Sequence, residues 1–430
     1  MPRPEPQACS TTLPKAEAPD DPKLRPMPSK ETMTAWPPLL ITLAMQAMVS
    51  MALLTLPVMA PVVAPALGVS ATYAGIYVAL VYAGAIVASL AAGAAVARFG
   101  AIRVSQTGLL LCAAGLGLCA VPSVPVIALG ALVIGLGYGP ITPASSHLLA
   151  RTTPAQRMSL VFSVKQTGVP LGGMLAGAIV PSLLLLTGWQ AALLLVAVAN
   201  LLCAALAQML RPQLDADRRP GHPLALGNLV QPLKLVLSHR TLAMLAACSF
   251  FFSTAQLSLT TYLVTYLHDA LAYGLVAAGL ALSAAQLGGI AGRIWWGYMA
   301  DRWLDARRML SVLAALMAAS SAATALLYGT MPTMLILAVL VVFGASAIGW
   351  NGVYLAEVAR QAPPGLASVA TGGTLAFTFF GVVIGPPLFG VLSGLFDSYR
   401  AGFWVLALPT AVCSLVLLRS KRFAAPEAST

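Results

Sequence analysis

Twelve long apolar runs constrain the fold of this chain more than any other feature of its sequence. A helix needs about 20 apolar residues to cross the hydrocarbon core of a bilayer, whereas a barrel strand needs about 9–11 residues of alternating character. The runs are continuous and rich in Ala, Leu, Val and Gly, which predicts an all-α integral membrane protein with twelve transmembrane helices. The predicted spans, numbered 1 to 12, are 38–61, 72–96, 104–122, 125–149, 159–185, 188–210, 242–267, 273–299, 309–328, 333–357, 367–393 and 401–418.

The composition excludes several other classes of protein. Only 9% of the residues are charged and 59% are apolar, whereas soluble domains carry about 25% charged residues. A soluble enzyme, a disordered chain and a nucleic-acid-binding domain are therefore poor fits. The six cysteines form no Cys-x-x-Cys pair and no Gly-Lys-Ser/Thr nucleotide loop occurs, so we expect no metal site, no cofactor and no ATP hydrolysis.

Polar segments divide the chain into five parts. The ends are polar and lack apolar periodicity, and the longest internal polar segment separates span 6 from span 7. The predicted parts are a disordered cytoplasmic tail (1–34), an N-terminal six-helix bundle (35–210), a cytoplasmic linker (211–240), a C-terminal six-helix bundle (241–418) and a cytoplasmic C-terminal tail (419–430).

The distribution of basic residues predicts the orientation. Short cytoplasmic loops retain Lys and Arg, and placing both termini in the cytoplasm puts 21 of the 24 basic residues on that side. Only Arg400 falls on the other side, and Lys165 and Arg293 lie within spans. We therefore expect a multi-pass protein of the inner (plasma) membrane, whose net charge of +11 reflects topology and not a nucleic-acid partner.

Two short motifs repeat at an offset of about half the membrane region. Gly93 to Arg98 follows span 2, and Gly297 to Asp301-Arg302 follows span 8, with 301 − 97 = 204 residues between equivalent positions. Both segments resemble the cytoplasmic loop motif of the major facilitator superfamily, although the first copy has Ala97 where that family has Asp. The resemblance implies two six-helix repeats around a central cavity, in a secondary transporter that works by alternating access.

The same resemblance implies a gate at the cytoplasmic ends of the helices. The candidate gating residues are Gly93, Arg98, Gly297, Asp301 and Arg302. The alternative is that the arginines only anchor the topology at the lipid headgroups.

Lys165 and Arg293 are the candidate substrate-binding cations. Each lies eight residues inside the membrane from a charged residue at the cytoplasmic boundary, Arg157 or Asp301, which corresponds to about 12 Å of helix. Charged side chains at such depth are costly and usually face a cavity, although a long side chain can also reach back toward the headgroups. Among the acids only Glu357 approaches the membrane interior. Two cations without a nearby carboxylate indicate an anion site.

A narrower resemblance agrees with this prediction. The run from Gly292 through Arg293 to Asp301 is similar to helix 8 of monocarboxylate transporters and of the oxalate–formate exchanger group. There the equivalent Arg contacts the substrate carboxylate, and the resemblance implies this role for Arg293. The chain departs from those transporters at Gly289, where they typically have an Asp, and it has no Lys in span 1. Lys165 is therefore the candidate second cation.

Polar and aromatic residues at compatible depths are predicted to complete the substrate-binding site. These candidates are Tyr138, Gln256, Tyr262, Trp350 and Asn351. An amide and aromatic lining would orient a small organic anion. The alternative is that these side chains make interhelical hydrogen bonds or anchor the helices at the membrane interface.

The predicted function is secondary active transport of a small organic anion, in particular a carboxylate, across the lipid bilayer by a monomer. Protons are the candidate coupling ion for symport, and anion exchange is the other mode. Two alternatives remain: an exporter of larger amphipathic compounds of the drug or siderophore type, and a transporter-like sensor without flux.

Overall fold

A computed structural model describes residues 36–154, 157–224, 230–364 and 366–419, without the side chains of Ser159 and Ser368. The predicted N-terminal tail and the C-terminal tail beyond Arg419 lie outside the described residues. All regular secondary structure in the described part of the chain is helical.

The predicted all-α fold with twelve spans is confirmed. Each helix is long and apolar enough to cross a bilayer. The spans 1 to 12 run Trp36–Ala66, Ala71–Phe99, Ala101–Cys119, Val124–Thr152, Leu160–Thr187, Trp189–Gln208, Arg240–Asp269, Leu275–Arg302, Ala306–Ala325, Thr333–Gln361, Val369–Leu395 and Tyr399–Arg419. Most spans exceed the predicted lengths. Span 1, for example, continues through Pro57, Pro61 and Pro65, because neighbouring helices can satisfy the backbone groups that proline leaves free.

Three spans are interrupted, and two of them, spans 4 and 10, are interrupted near the middle. Span 4 consists of helices Val124–Tyr138 and Ile141–Thr152, with Gly139 and Pro140 between them. Span 10 breaks in the same way between Ala347 and Asn351. This break lies about as far after the break in span 4 as the second loop motif lies after the first. Backbone groups released by such breaks must find other partners within the bilayer.

Span 5 has a different interruption. Its helices Met158–Gln166 and Gly168–Thr187 meet at Thr167. Pro170 lies one turn after Gln166 and has no N–H group, so the carbonyl of Gln166 cannot accept the usual helical hydrogen bond from position 170. This carbonyl is therefore available to a donor from another span.

Three pairs of helices make most of the contacts between the first six spans and the last six in the described part of the chain. Span 5 packs against span 8, span 2 against span 11, and span 1 against span 7. In the span 5–span 8 pair, Ser283 donates a hydrogen bond to the carbonyl of Met174 at 2.8 Å. Gly177 lies so close to span 8 that an added Cβ would stand 2.5 Å from the carbonyl oxygen of Gly279. The two spans run antiparallel, and small residues permit this close approach.

We call the end of the bundle that carries Arg98, Arg151, Arg302 and Arg360 the basic end, and the other the opposite end. Between spans 6 and 7, the described residues include short helices at Arg211–Leu214 and Val230–Ser238. The described spans belong to one compact unit, and the division of the chain at 211–240 stays a prediction.

Candidate functional site

A small polar cavity lies where the first six spans meet the last six. Its volume of about 20 Å³ is enough for about one water molecule. Spans 1, 2, 4, 5, 7, 8 and 10 all contribute to its wall. The lining residues are Ser50, Leu53, Leu54, Tyr82, Tyr138, Val169, Gln256, Leu257, Thr260, Gln286 and Ile348.

Two of the seven predicted substrate-binding residues, Tyr138 and Gln256, line this cavity. The oxygen Oε1 of Gln256 accepts hydrogen bonds from Nε1 of Trp350 at 3.0 Å and from Nδ2 of Asn351 at 3.3 Å. Because an indole N–H can only donate, its partner must be the amide oxygen. The NH₂ group of Gln256 is thereby left as a donor available to the cavity.

Trp350 and Asn351 therefore act on the cavity through Gln256. Trp350 is buried and packs edge-on against Phe252 and Tyr354. Asn351 begins the second helix of span 10, directly after the interruption. Neither residue belongs to the cavity wall, and both fix the orientation of the Gln256 amide.

Lys165 is buried just toward the basic end from the cavity, with 1% of its surface exposed. Its ammonium group lies 3.3 Å from Oγ of Ser146 and 3.4 Å from the carbonyl oxygen of Thr142. Both partners are in the second helix of span 4, and neither carries a charge. A buried ammonium with only two long, neutral hydrogen bonds lacks the carboxylate that such a group normally requires.

Arg293 joins the interruptions of spans 5 and 10. Its Nε donates to the carbonyl of Ile348 at 3.0 Å, and its Nη1 donates to the carbonyl of Gln166. Ile348 lines the cavity, and Gln166 is the neighbour of Lys165 in the chain. The two cations thus belong to facing helices, spans 5 and 8, of the interface between the first six and the last six spans. The described part of the chain supplies no carboxylate to either.

Tyr262 does not line the cavity, contrary to the expectation from sequence. Its hydroxyl contacts the start of span 2 and the end of span 11, near the opposite end. It donates to the carbonyl of Thr72 at 2.6 Å, with the carbonyl of Pro386 as a second acceptor at 3.0 Å, and accepts the Gly75 N–H at 2.9 Å. Its ring stacks on Phe389 at 4.7 Å. These contacts close the opposite end.

The predicted gating residues make no hydrogen bond or ion pair across the basic end with the residues that the structure describes. Asp301 and Arg302 are exposed, and Asp301 has no hydrogen bond or ion pair with any described residue. An added Cβ at Gly93 or Gly297 would meet open space. The Arg98 guanidinium lies 5.4 Å from the ring of its neighbour Phe99. Among the described residues these five therefore make no hydrogen bond or ion pair across the basic end, although the Arg219 N–H donates to the carbonyl of Ala97 in the first motif at 2.7 Å.

A second polar network at the basic end was not predicted from the sequence. Asp215 accepts hydrogen bonds from the N–H groups of Ile102 at 2.8 Å and Arg103 at 3.0 Å, at the start of span 3. Asp217 contacts His147 at 2.8 Å and pairs with Arg151, at the end of span 4. The segment after span 6 is thereby held against spans 3 and 4. A negative charge at a helix N-terminus is favourable.

A larger cavity of about 440 Å³ lies among spans 1, 2 and 4 near the opposite end. Its lining includes Leu56, Val63 and Leu80 but no charged side chain. It is therefore unsuited to an anion, and Lys165 and Arg293 mark the site of interest.

Comparison with known proteins identifies the family. The family model described as the Major Facilitator Superfamily matches residues 39–374, which is more than half of the chain. The chain belongs to the Major Facilitator Superfamily. It is therefore a membrane transporter by family and not an enzyme.

Curated relatives of this transporter are distant in sequence. It is 23% identical over 324 residues to a benzoate transport protein of Acinetobacter baylyi, covering 68% of each chain. It is 27% identical over 305 residues to a gentisate transporter of Corynebacterium glutamicum, covering 67% of this chain and 66% of the relative. A hexuronate transporter of Bacillus subtilis matches at 23% identity over 149 residues, or 32% of this chain and 34% of the relative.

Solved structures with the same fold are also distant. An inward-facing and occupied structure of a bacterial homologue of the human lysosomal transporter Spinster superposes with a TM-score of 0.73 at 13% identity, covering 89% of this chain and 96% of that one. A D-xylose–proton symporter gives 0.69 at 16% identity, with the same coverage. At these identities the likeness establishes the fold alone.

Proposed function

We propose that this transporter moves a small organic carboxylate across the membrane by alternating access, with Arg293 and Lys165 binding the carboxylate. One observation carries the proposal. Lys165, which is buried, and Arg293, which is half-buried, come from opposite halves of the bundle, and their partners among the described residues are carbonyl and hydroxyl oxygens. A carboxylate supplies the charge that these partners lack, and it can accept paired hydrogen bonds from a guanidinium group.

The relatives support this substrate class, because benzoate, gentisate and hexuronate are all carboxylates. The narrower likeness of the Arg293 segment to monocarboxylate transporters and the oxalate–formate exchanger group points the same way. Tyr138 and Gln256 would line the bound substrate, with Trp350 and Asn351 holding the Gln256 amide.

The structure also supports a direction of opening. Tyr262 closes the opposite end, while among the described residues Gly93, Arg98, Gly297, Asp301 and Arg302 make no hydrogen bond or ion pair across the basic end. We propose that these five residues form a gate that engages when the opposite end opens. The basic end is then the cytoplasmic end of a monomer in the inner membrane, in accordance with the positive-inside rule.

The test of function is uptake of labelled benzoate and gentisate into proteoliposomes that contain the purified protein. We expect uptake above that of empty liposomes for at least one of them. A dependence on an inward proton gradient identifies symport, whereas a requirement for internal unlabelled substrate identifies exchange. Absence of uptake of both compounds in both formats would overturn the proposal.

The orientation is tested by labelling two engineered cysteines with an impermeant maleimide, after replacing Cys9 by Ser. The native cysteines within the spans are buried. Gly221→Cys lies in the segment after span 6 and Gly394→Cys near the end of span 11, and both positions are exposed. In cells whose outer membrane admits the maleimide and whose inner membrane is intact, we expect only Gly394→Cys to react. Reaction of Gly221→Cys alone would contradict the orientation.

A further inference from the structure

Gln286 in span 8 is a cavity residue with no role in the site described so far. Only 2% of its surface is exposed, and its side chain lines the central cavity. No hydrogen bond joins it to another described residue. Buried amides are normally hydrogen-bonded, so this side chain has donor and acceptor capacity that the protein does not use.

The surroundings of Gln286 are built to accommodate its amide. An added Cβ at Gly173 in span 5 would overlap Nε2 of Gln286 and stand 2.6 Å from its Cδ. The neighbouring Gly172 instead faces the backbone of span 1 at Ala47 and Met51, which is the usual reason for glycine between packed helices. The absence of a side chain at 173 therefore leaves room for the polar end of Gln286.

Gln286 and Arg293 face the same side of span 8. They are seven residues apart, which corresponds to two helical turns and about 10 Å along the axis. Both contact span 5, Gln286 at Gly173 and Arg293 at Gln166. A substrate whose carboxylate binds Arg293 would therefore direct its other end toward Gln286.

The wall of the cavity beside Gln286 combines aromatic and apolar side chains with the polar Ser50, Gln256 and Thr260. The rings of Tyr82 and Tyr138 lie 5.7 Å apart with an interplanar angle of 60°, and Leu54, Leu257 and Ile348 complete this part of the lining. An aromatic ring is the group that such a wall favours. One ring with a hydrogen bond at each end also matches the axial distance between Arg293 and Gln286.

We propose that Gln286 is a specificity residue that binds an oxygen substituent on the substrate ring, so that hydroxylated aromatic monocarboxylates are preferred over unsubstituted ones. This inference rests on the proposed function, because it takes the carboxylate to be bound at Arg293. A site built to hydrogen-bond a hydroxyl group discriminates against the analogue that lacks it, because the buried amide is then left unpaired.

The test is competition for uptake in proteoliposomes, with benzoate, 3-hydroxybenzoate and 4-hydroxybenzoate as the competing compounds. For the native protein we expect at least one hydroxybenzoate to have a half-inhibitory concentration about fivefold to tenfold below that of benzoate. Gln286→Leu should bring that ratio within about twofold, because the hydroxybenzoate loses its hydrogen-bond partner and benzoate no longer leaves a buried amide unpaired.

Two further variants keep the test decisive if Gln286→Leu does not fold. Gly173→Ala should reduce the preference by displacing the amide of Gln286. Gln106→Leu is the matched control, because Gln106 is also buried but donates to the carbonyl of Ala204 in span 6, at 2.9 Å and outside the cavity. It should leave the preference unchanged.

The outcomes separate this inference from the proposed function. Uptake without discrimination by the native protein, or discrimination that survives in both Gln286→Leu and Gly173→Ala, overturns the role of Gln286 alone. Loss of the preference in Gln106→Leu as well would also overturn it. Absence of uptake of all three compounds would overturn the proposed function together with this inference.

Discussion

The guanidinium of Arg293 donates a hydrogen bond to the carbonyl of Gln166, a carbonyl that Pro170 leaves without its helical partner. This contact joins span 8 to span 5 next to Lys165 in the chain, in the interface between the first six and the last six spans. A substrate carboxylate and the Gln166 carbonyl would compete for the same donor. Binding of substrate and loosening of this interface are thereby linked through one side chain.

Replacing Pro170 by Ala should strengthen substrate binding. The new N–H at position 170 can donate the helical hydrogen bond to the Gln166 carbonyl, which frees Nη1 of Arg293 for the substrate. We expect about a threefold to tenfold lower dissociation constant for benzoate, since a single hydrogen bond contributes about 1 kcal/mol. Pro409→Ala, in span 12 and outside the site, is the control. Weaker binding in Pro170→Ala would contradict the competition.

Tyr262→Phe should loosen the opposite end. The substitution removes the hydroxyl that connects Thr72, Gly75 and Pro386, and we expect a loss of about 1–3 kcal/mol in the free energy of unfolding. Backbone amides of residues 67–75 should exchange hydrogen faster than in the native protein.

Tyr266→Phe is the matched control for this change. The Tyr266 hydroxyl is also buried and donates to the Thr324 carbonyl at 2.7 Å, but this bond lies within the last six spans. It should lower stability without accelerating exchange at 67–75. Equally faster hydrogen exchange at residues 67–75 in both variants would contradict the role of Tyr262 in closing the opposite end.

Asp301→Asn should slow turnover more than it weakens substrate binding. If Asp301 engages only when the opposite end opens, the loss falls on the conformational step, and we expect about tenfold slower maximal uptake with KM changed less than about twofold. Asp305→Asn is the control, since Asp305 caps the start of span 9 by accepting the Arg308 N–H at 2.8 Å. If Asp301→Asn changed maximal uptake and KM by similar factors, this result would contradict a gating role for Asp301.

Asp215 should make stability depend on pH. Burial raises the pKa of this carboxyl above its ordinary value, although the N–H groups of Ile102 and Arg103 and the charge of Arg211 oppose the shift. A group whose pKa is higher in the folded state contributes stability at low pH that is lost as pH rises through the folded-state pKa. The melting temperature of the native protein, relative to Asp215→Asn, should therefore fall as pH rises above the ordinary pKa of an aspartate, about 4. A rise above that pH would contradict the shift.

The spans, and the positions of Lys165 and Arg293 within them, could be predicted from the sequence for a common physical reason. A bilayer requires about 20 apolar residues per helix, so run length alone locates the spans, and counting from the boundary locates charges at depth. The polar residues are different. Gln286 and Tyr262 both lie within apolar helices, but sequence does not reveal which neighbouring helix each one meets. Gln286 was therefore missed, and Tyr262 was assigned to the cavity when it closes the opposite end.

The contacts of the segment after span 6 could not be predicted from the sequence either. Asp215 and Asp217 could be placed outside the membrane, but their partners on spans 3 and 4 depend on how the segment folds back. One signal was available in advance: Pro170 removes the helical donor for Gln166, which predicts a carbonyl in need of a partner. Only the packing of span 5 against span 8 identifies that partner as Arg293.

Equilibrium binding of labelled benzoate to the purified protein and to three variants tests the central claim most directly. Arg293→Ala and Lys165→Ala should each weaken binding at least about tenfold, because each removes a charged hydrogen-bond donor from a buried carboxylate. Arg400→Ala should bind as the native protein does, although Arg400 also donates to a carbonyl, that of Leu327 at 3.0 Å near the opposite end. Native affinity in the folded Arg293→Ala and Lys165→Ala proteins would contradict the assignment of these two cations as the anion site.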